Sequence, residues 1–189
     1  MSHIQKYTAW NLPNIISVLR ILAAPLLILL LLSPDKKNSL TAAIVFAAAS
    51  LTDWLDGYLA RRLGVETTFG RFLDPLADKL LIVTCLIMLI SVGGVPAWMV
   101  AIIAGREIAV TGLRSLASIE GVVIAAGSLG KYKTAFQIAS ATALIIHYKF
   151  FGIDFHTIGI IFLWIALVFT LWSGIDYFVK FLRKVTISM

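Results

Sequence analysis

Residues 52–79 read TDWLDGYLARRLGVETTFGRFLDPLADK, and they place four aspartates at helical intervals inside an otherwise strongly apolar chain. Asp53 and Asp56 are three apart, Asp74 and Asp78 four apart, so each pair projects from one helix face with Cβ atoms about 5–6 Å apart. The intervening RRLGVETTFGR, with its glycines, threonines and charges, predicts a short turn that folds the two helix ends into an antiparallel hairpin. All four carboxylates then converge near one membrane interface. At the centre of a bilayer each would cost about 2.5–3.5 kcal/mol, roughly 10 kcal/mol for the set, unless a cation holds them.

The flanking sequence defines that bilayer. Of 189 residues 60% are hydrophobic and only 14% charged, with a mean hydropathy of +0.94; soluble domains are about half apolar and a quarter charged. Apolar runs of the length that spans hydrocarbon recur at 15–32, 40–59, 72–92, 97–116, 132–148 and 155–178. Turn signals separate them at 33–38 (SPDKKN), 92–96 (VGGVP), 121–130 and 151–154 (FGID). The expected fold is therefore all-α, an integral membrane protein of about six transmembrane helices. Trp10, Asn11, Pro13 and Asn14 form a short interfacial segment ahead of the first span. No polar tract marks a second domain, so residues 1–189 are expected to form a single transmembrane domain.

Of the 16 Lys and Arg, only Lys36, Lys37 and Lys149 fall on the side opposite the amino terminus. The positive-inside rule then puts both termini and the aspartate hairpin in the cytoplasm. The net charge of +6 suits an anionic lipid surface, and nothing forms a soluble basic patch for nucleic acid.

Oxygen donors without a nearby histidine or thiolate select hard cations, Mg²⁺ or Mn²⁺, and a four-carboxylate cage has room for two ions. Gly57, Ala60 and Gly70 leave backbone accessible to a close-fitting phosphate or sugar, and Arg61 stands one turn beyond Gly57 to meet an anion. Small residues at this spacing also pack membrane helices together. Thr52 is placed to contact a nucleotide or to bond its own helix carbonyl. Carboxylates in a membrane also permit a divalent-cation transporter, a reading that the glycine, alanine and arginine positions oppose.

Asp53, Asp56, Gly57, Ala60, Arg61, Gly70, Asp74 and Asp78 reproduce the pattern D-x2-D-G-x2-A-R-x8-G-x3-D-x3-D, and by it the chain resembles the CDP-alcohol phosphotransferases. The six-span layout extends that resemblance over essentially the whole chain. It implies an enzyme that moves a phospho-alcohol group from a CDP-linked donor to an alcohol and releases CMP. It further implies metal binding by the four aspartates, a nucleotide held by Thr52, Gly57, Ala60, Arg61 and Gly70, Asp78 as general base, and a homodimer with the third and fourth spans as candidate contacts.

Four further segments, NLPNIISVLRI, AGREIAVTGLRSLA, GSLGKYKTAFQ and SGIDYFVK, resemble the bacterial branch of that family whose members make phosphatidylglycerophosphate. That likeness implies CDP-diacylglycerol as donor, sn-glycerol 3-phosphate as acceptor, and a bacterial cytoplasmic membrane with its lipids around the protein. Inositol phosphate, serine and phosphatidylglycerol are the alternative acceptors. A phosphorylated acceptor is a dianion that needs fixed cations. Arg106 and Arg114, two turns apart, and Lys131 and Lys133, at the start of the fifth span, are the candidates. For the two lysines a plain membrane-surface flank is the alternative. Glu107 is an ion-pair partner of Arg106 with no catalytic role, and Asp176 is expected to pair with Lys180. Cys85 stands alone in an apolar helix, and His3, His147 and His156 lie outside the motif.

Overall fold

The computed structural model describes residues 12–63, 68–92, 94–119, 128–150 and 152–188, with backbone alone across 12–13, 53–63, 68–72, 118–119, 128–129, 150 and 185–188. Its elements are α1 (Leu12–Leu31), α2 (Lys36–Leu63), α3 (Thr68–Ser91), α4 (Ala97–Ile119), α5 (Ser128–Ile146), a two-stranded ribbon β1 (Lys149–Phe150) and β2 (Ile153–Asp154), and α6 (Phe155–Ser188). Each expected span has its helix. The chain divides into two compact units, Met1–Met88 and Leu89–Met189.

The core is apolar, but burial departs from the soluble pattern in two ways. Arg20 is 1%, Glu107 5% and Lys133 6% exposed, whereas Leu51 is 69% and Ile108 71% exposed. Charged residues are almost never fully buried in soluble proteins unless paired, and wide apolar exposure there marks an interaction surface. Here large apolar side chains face outward along the described helices. Among the described residues two helices, over Asn14–Leu31 and Phe155–Lys184, are long and apolar enough to cross a membrane by length and composition alone.

In the first unit α1 packs along α2. α2 starts where Asp35 caps it: the Asn38 N–H donates to Asp35 Oδ1 at 2.7 Å, so the expected SPDKKN turn gives way to helix at Lys36. The expected RRLGVETTFG loop is mostly helix. Arg61 and Arg62 lie in the last turn of α2 and Gly70 in the first turn of α3, because Ala, Arg and Leu continue a helix readily, and 64–67 lie outside the described residues. Asn14, part of the expected interfacial segment, lies in the first turn of α1 and is buried against the protein. Residues 1–11, with Trp10, Asn11 and His3, lie outside the described residues.

In the second unit α6 packs most extensively on α5 and also on α4. α5 stops at Ile146 because His147 takes a left-handed backbone, φ 38°. The FGID turn signal is the tip of the small ribbon, with Lys149 opposite Asp154 and Phe150 opposite Ile153, and Gly152 at φ 79° supplies the conformation its turn demands. Asp154 then caps α6, accepting from the Thr157 N–H at 3.2 Å and the Thr157 hydroxyl at 3.1 Å.

α5 and α6 approach closely at Gly159, whose carbonyl accepts from the buried Ser140 hydroxyl at 2.8 Å. A Cβ at Gly159 would lie 2.5 Å from Leu144 Cγ and 3.1 Å from the Leu144 amide nitrogen. Above this point Phe136 packs against Phe162 and stacks on Phe169, each with ring centroids 5.8 Å apart. Gly159→Ala is therefore expected to cost about 1–3 kcal/mol by overpacking. Thermal melting in detergent checks this, and an unchanged midpoint would contradict the close approach.

Candidate active site

In the first unit the candidate carboxylates begin on α3, where Asp74 and Asp78 stand one turn apart and half-buried. Pro75 follows Asp74 and offers no N–H to the preceding turn, a substitution that a membrane helix tolerates when neighbours satisfy the freed carbonyl. Asp74 is held across the unit. The fully buried Ser17 hydroxyl of α1 donates to Asp74 Oδ1, which leaves Oδ2 for another ligand.

One turn further along α1, Arg20 Nε donates to the Ala49 carbonyl of α2 at 3.2 Å. The same carbonyl accepts from the Thr52 hydroxyl at 2.7 Å, so the donor of Thr52 is spent inside its own helix. α1 is thus bonded to both helices that carry the aspartates. Asp53, Asp56, Gly57, Ala60 and Arg61 have helical backbone in α2, and Gly70 in α3; their side chains lie outside the described residues. Among the described residues no three His, Cys, Asp or Glu side chains gather as a metal site, as expected when only one aspartate pair is described. The donor set still fits a divalent cation. Asp74 and Asp78 offer only carboxylate oxygen, and a buried hydroxyl orients one of them in the way that outer-shell partners orient metal ligands.

A separate cluster of basic residues lies in the second unit. Glu107 of α4 is buried, and its Oε1 is shared by Arg106 Nη1 at 3.3 Å and by Lys133 Nζ of α5. Arg106 Nη2 donates to Ser173 Oγ of α6 at 2.9 Å. Glu107 thus gathers two cations from neighbouring helices into a sheltered cluster. Such a group retains more of its Coulomb strength than a surface charge. Arg106 Nε is buried and has no hydrogen-bond partner among the described residues.

Two turns beyond Arg106, the guanidinium of Arg114 lies 5.9 Å over the ring of Tyr177, one turn beyond Ser173. Both arginines therefore face α6, in line with their spacing, and the two pairings advance together, so α4 and α6 run parallel. Lys131 and Lys133 part company. Two residues are about 200° of helix, so Lys133 points inward while Lys131 is exposed.

Four residues escaped the reading of the sequence as contributors here: Ser17, Ser173 and Tyr177, and Glu107, which joins both buried cations instead of Arg106 alone. For Glu107 the signal was present, since an ionisable group inside a span demands a named partner. The expected Asp176–Lys180 pair forms at 2.7 Å on an exposed face. Cys85 is buried with a free thiol.

A helical membrane scaffold, an aspartate pair one turn apart and a sheltered cationic cluster fit the transfer of phosphorylated groups. Residues 10–172 match the sequence profile of CDP-alcohol phosphatidyltransferases, and the chain belongs to that family. Among curated relatives it is 44% identical over 183 residues to the CDP-diacylglycerol–glycerol-3-phosphate 3-phosphatidyltransferase of Bacillus subtilis, covering 90% of this chain and 95% of that one. It is 42% identical over 173 residues to the Pseudomonas fluorescens protein of the same name, covering 88% of each. A probable phosphatidylglycerophosphate synthase of Mycobacterium tuberculosis is 37% identical over 178 residues, covering 93% of this chain and 83% of that one.

Proposed function

We propose that this protein transfers the phosphatidyl group of CDP-diacylglycerol to the 1-hydroxyl of sn-glycerol 3-phosphate, giving phosphatidylglycerophosphate and CMP. The observation that carries this reading is similarity at 37–44% identity, over about nine-tenths of the chain, to relatives named for that reaction. The buried basic cluster of the second unit supports the choice of a phosphorylated acceptor, because a dianion needs several fixed cations and a neutral alcohol needs none.

In this reading Asp53, Asp56, Asp74 and Asp78 hold divalent cations, Mg²⁺ or Mn²⁺, which supply charge neutralisation at the pyrophosphate when bound. Asp78 takes the proton of the attacking hydroxyl. The acceptor oxygen then bonds to the lipid-bearing phosphorus as its bond to the bridging oxygen breaks, and CMP carries that oxygen away. Arg61 with the backbone at Gly57 and Gly70 binds the cytidine diphosphate. Arg106, Arg114 and Lys133 receive the acceptor phosphate, with Lys131 adding field from the surface. All six helices span a bacterial cytoplasmic membrane with both termini and the site facing the cytoplasm, and the donor's acyl chains stay in the leaflet.

The test is CMP release by purified protein from CDP-diacylglycerol with a panel of alcohols. Release is expected with sn-glycerol 3-phosphate and to stop on chelation. Release with inositol phosphate, serine or phosphatidylglycerol in its place would overturn the assignment, as would metal uptake into sealed vesicles without any consumption of donor.

A further inference from the structure

The cationic cluster contains one group whose chemistry the ion pairs do not use. Tyr177 is 6% exposed, and its hydroxyl, buried from solvent, has no hydrogen-bond partner among the described residues. A buried hydroxyl left unbonded is costly, so most buried Tyr hydroxyls find a partner. This one stands on the α6 face that also carries Ser173, one turn earlier, through which Arg106 is bonded to the helix. The guanidinium of Arg114 lies over the ring itself. The neighbourhood is cationic on two sides, and Arg106 Nε in the same cluster is also buried without a partner among the described residues. Two unbonded buried donors, set among Arg106, Arg114 and Lys133 with Glu107 joining two of these cations, suit an anionic acceptor.

We infer that the Tyr177 hydroxyl donates to the phosphate of the acceptor, while its ring carries Arg114 in the position from which that guanidinium meets the same phosphate. This rests on the proposed reading of the cluster as the acceptor subsite, and it adds a neutral donor to a set otherwise made of cations. A site that hydrogen-bonds its substrate through a sheltered hydroxyl discriminates strongly when that hydroxyl is removed, because the charged partner is left short of one bond.

Tyr177→Phe tests this directly. It keeps the ring and the guanidinium contact and removes only an oxygen that bonds to nothing in the described protein. A purely structural role predicts unchanged or slightly higher thermal stability and unchanged kinetics. The inference predicts that the KM for sn-glycerol 3-phosphate rises about tenfold, the KM for CDP-diacylglycerol stays within about twofold, and the melting midpoint does not fall. Arg114→Ala, measured in parallel, keeps the two readings apart: it is expected to raise the acceptor KM by at least as much. If Arg114→Ala acts on the acceptor and Tyr177→Phe does not, the role of Tyr177 is overturned and the subsite stands. If Arg114→Ala raises both KM values equally or neither, the subsite reading itself falls. A Tyr177→Phe protein with a lowered midpoint and both KM values raised together would also overturn the inference.

Discussion

Asp78→Asn is expected to lower phosphatidyl transfer by at least the 10²–10⁴-fold that a positioned general base supplies. Asparagine keeps the size and half-buried place of the side chain on α3 but cannot take a proton from an attacking hydroxyl. Asp74, one turn earlier, provides the control. Its Oδ1 is occupied by the Ser17 hydroxyl, so Asp74→Asn is expected to raise the divalent-cation requirement and to recover in excess metal. Asp78→Asn should not recover. Single-turnover CMP release across a metal titration, with donor binding measured separately, distinguishes the two. Wild-type turnover by Asp78→Asn with metal and donor bound would remove the base assignment.

The second large effect concerns stability. Glu107→Ala removes the carboxylate shared by Arg106 and Lys133, two cations from different helices with little solvent to repay them. Breaking a buried ion pair by deleting one partner costs about 3–5 kcal/mol, a large share of the 5–15 kcal/mol that holds a typical protein together. The purified variant is expected to melt far below the wild type or to fail to accumulate. Glu107→Gln combined with Lys133→Met removes both charges and should regain most of the melting temperature. It should not regain the affinity for sn-glycerol 3-phosphate, because Lys133 is then missing from the acceptor phosphate. A Glu107→Ala protein that melts with the wild type would show that the shared carboxylate is not needed to balance these cations.

The helices were legible in the sequence because hydrocarbon thickness imposes a run length that few other environments impose. α1, α4 and α6 begin within three residues of the expected spans, and the ends of α2 and α6 run past them where charged but helix-favouring residues follow the apolar run. The ribbon at 149–154 shows in the sequence only as a turn signal, since two-residue strands carry no periodic pattern. Spacing along one helix was also readable: it put Arg106 and Arg114 toward a common partner, and it could have separated Lys131 from Lys133. Partner choice between helices was not readable. Ser17 and Asp74 are 57 residues apart, Glu107 and Lys133 26, Arg106 and Ser173 67. Hydropathy says that each such group needs a companion and is silent on which one the packing supplies.

The bonds made by α1 bear on what an amino-terminal membrane segment is for. Any twenty-residue apolar helix could serve as a tether, and Leu12–Leu31 has the composition of one. Yet a graft of equal greasiness would bring neither an oxygen for Asp74 nor a guanidinium for the Ala49 carbonyl, and both contacts come from a single turn of this helix. Its leucines are interchangeable with those of many anchors; Ser17 and Arg20 are not, and they tie the first segment of the chain to the chemistry of the second and third.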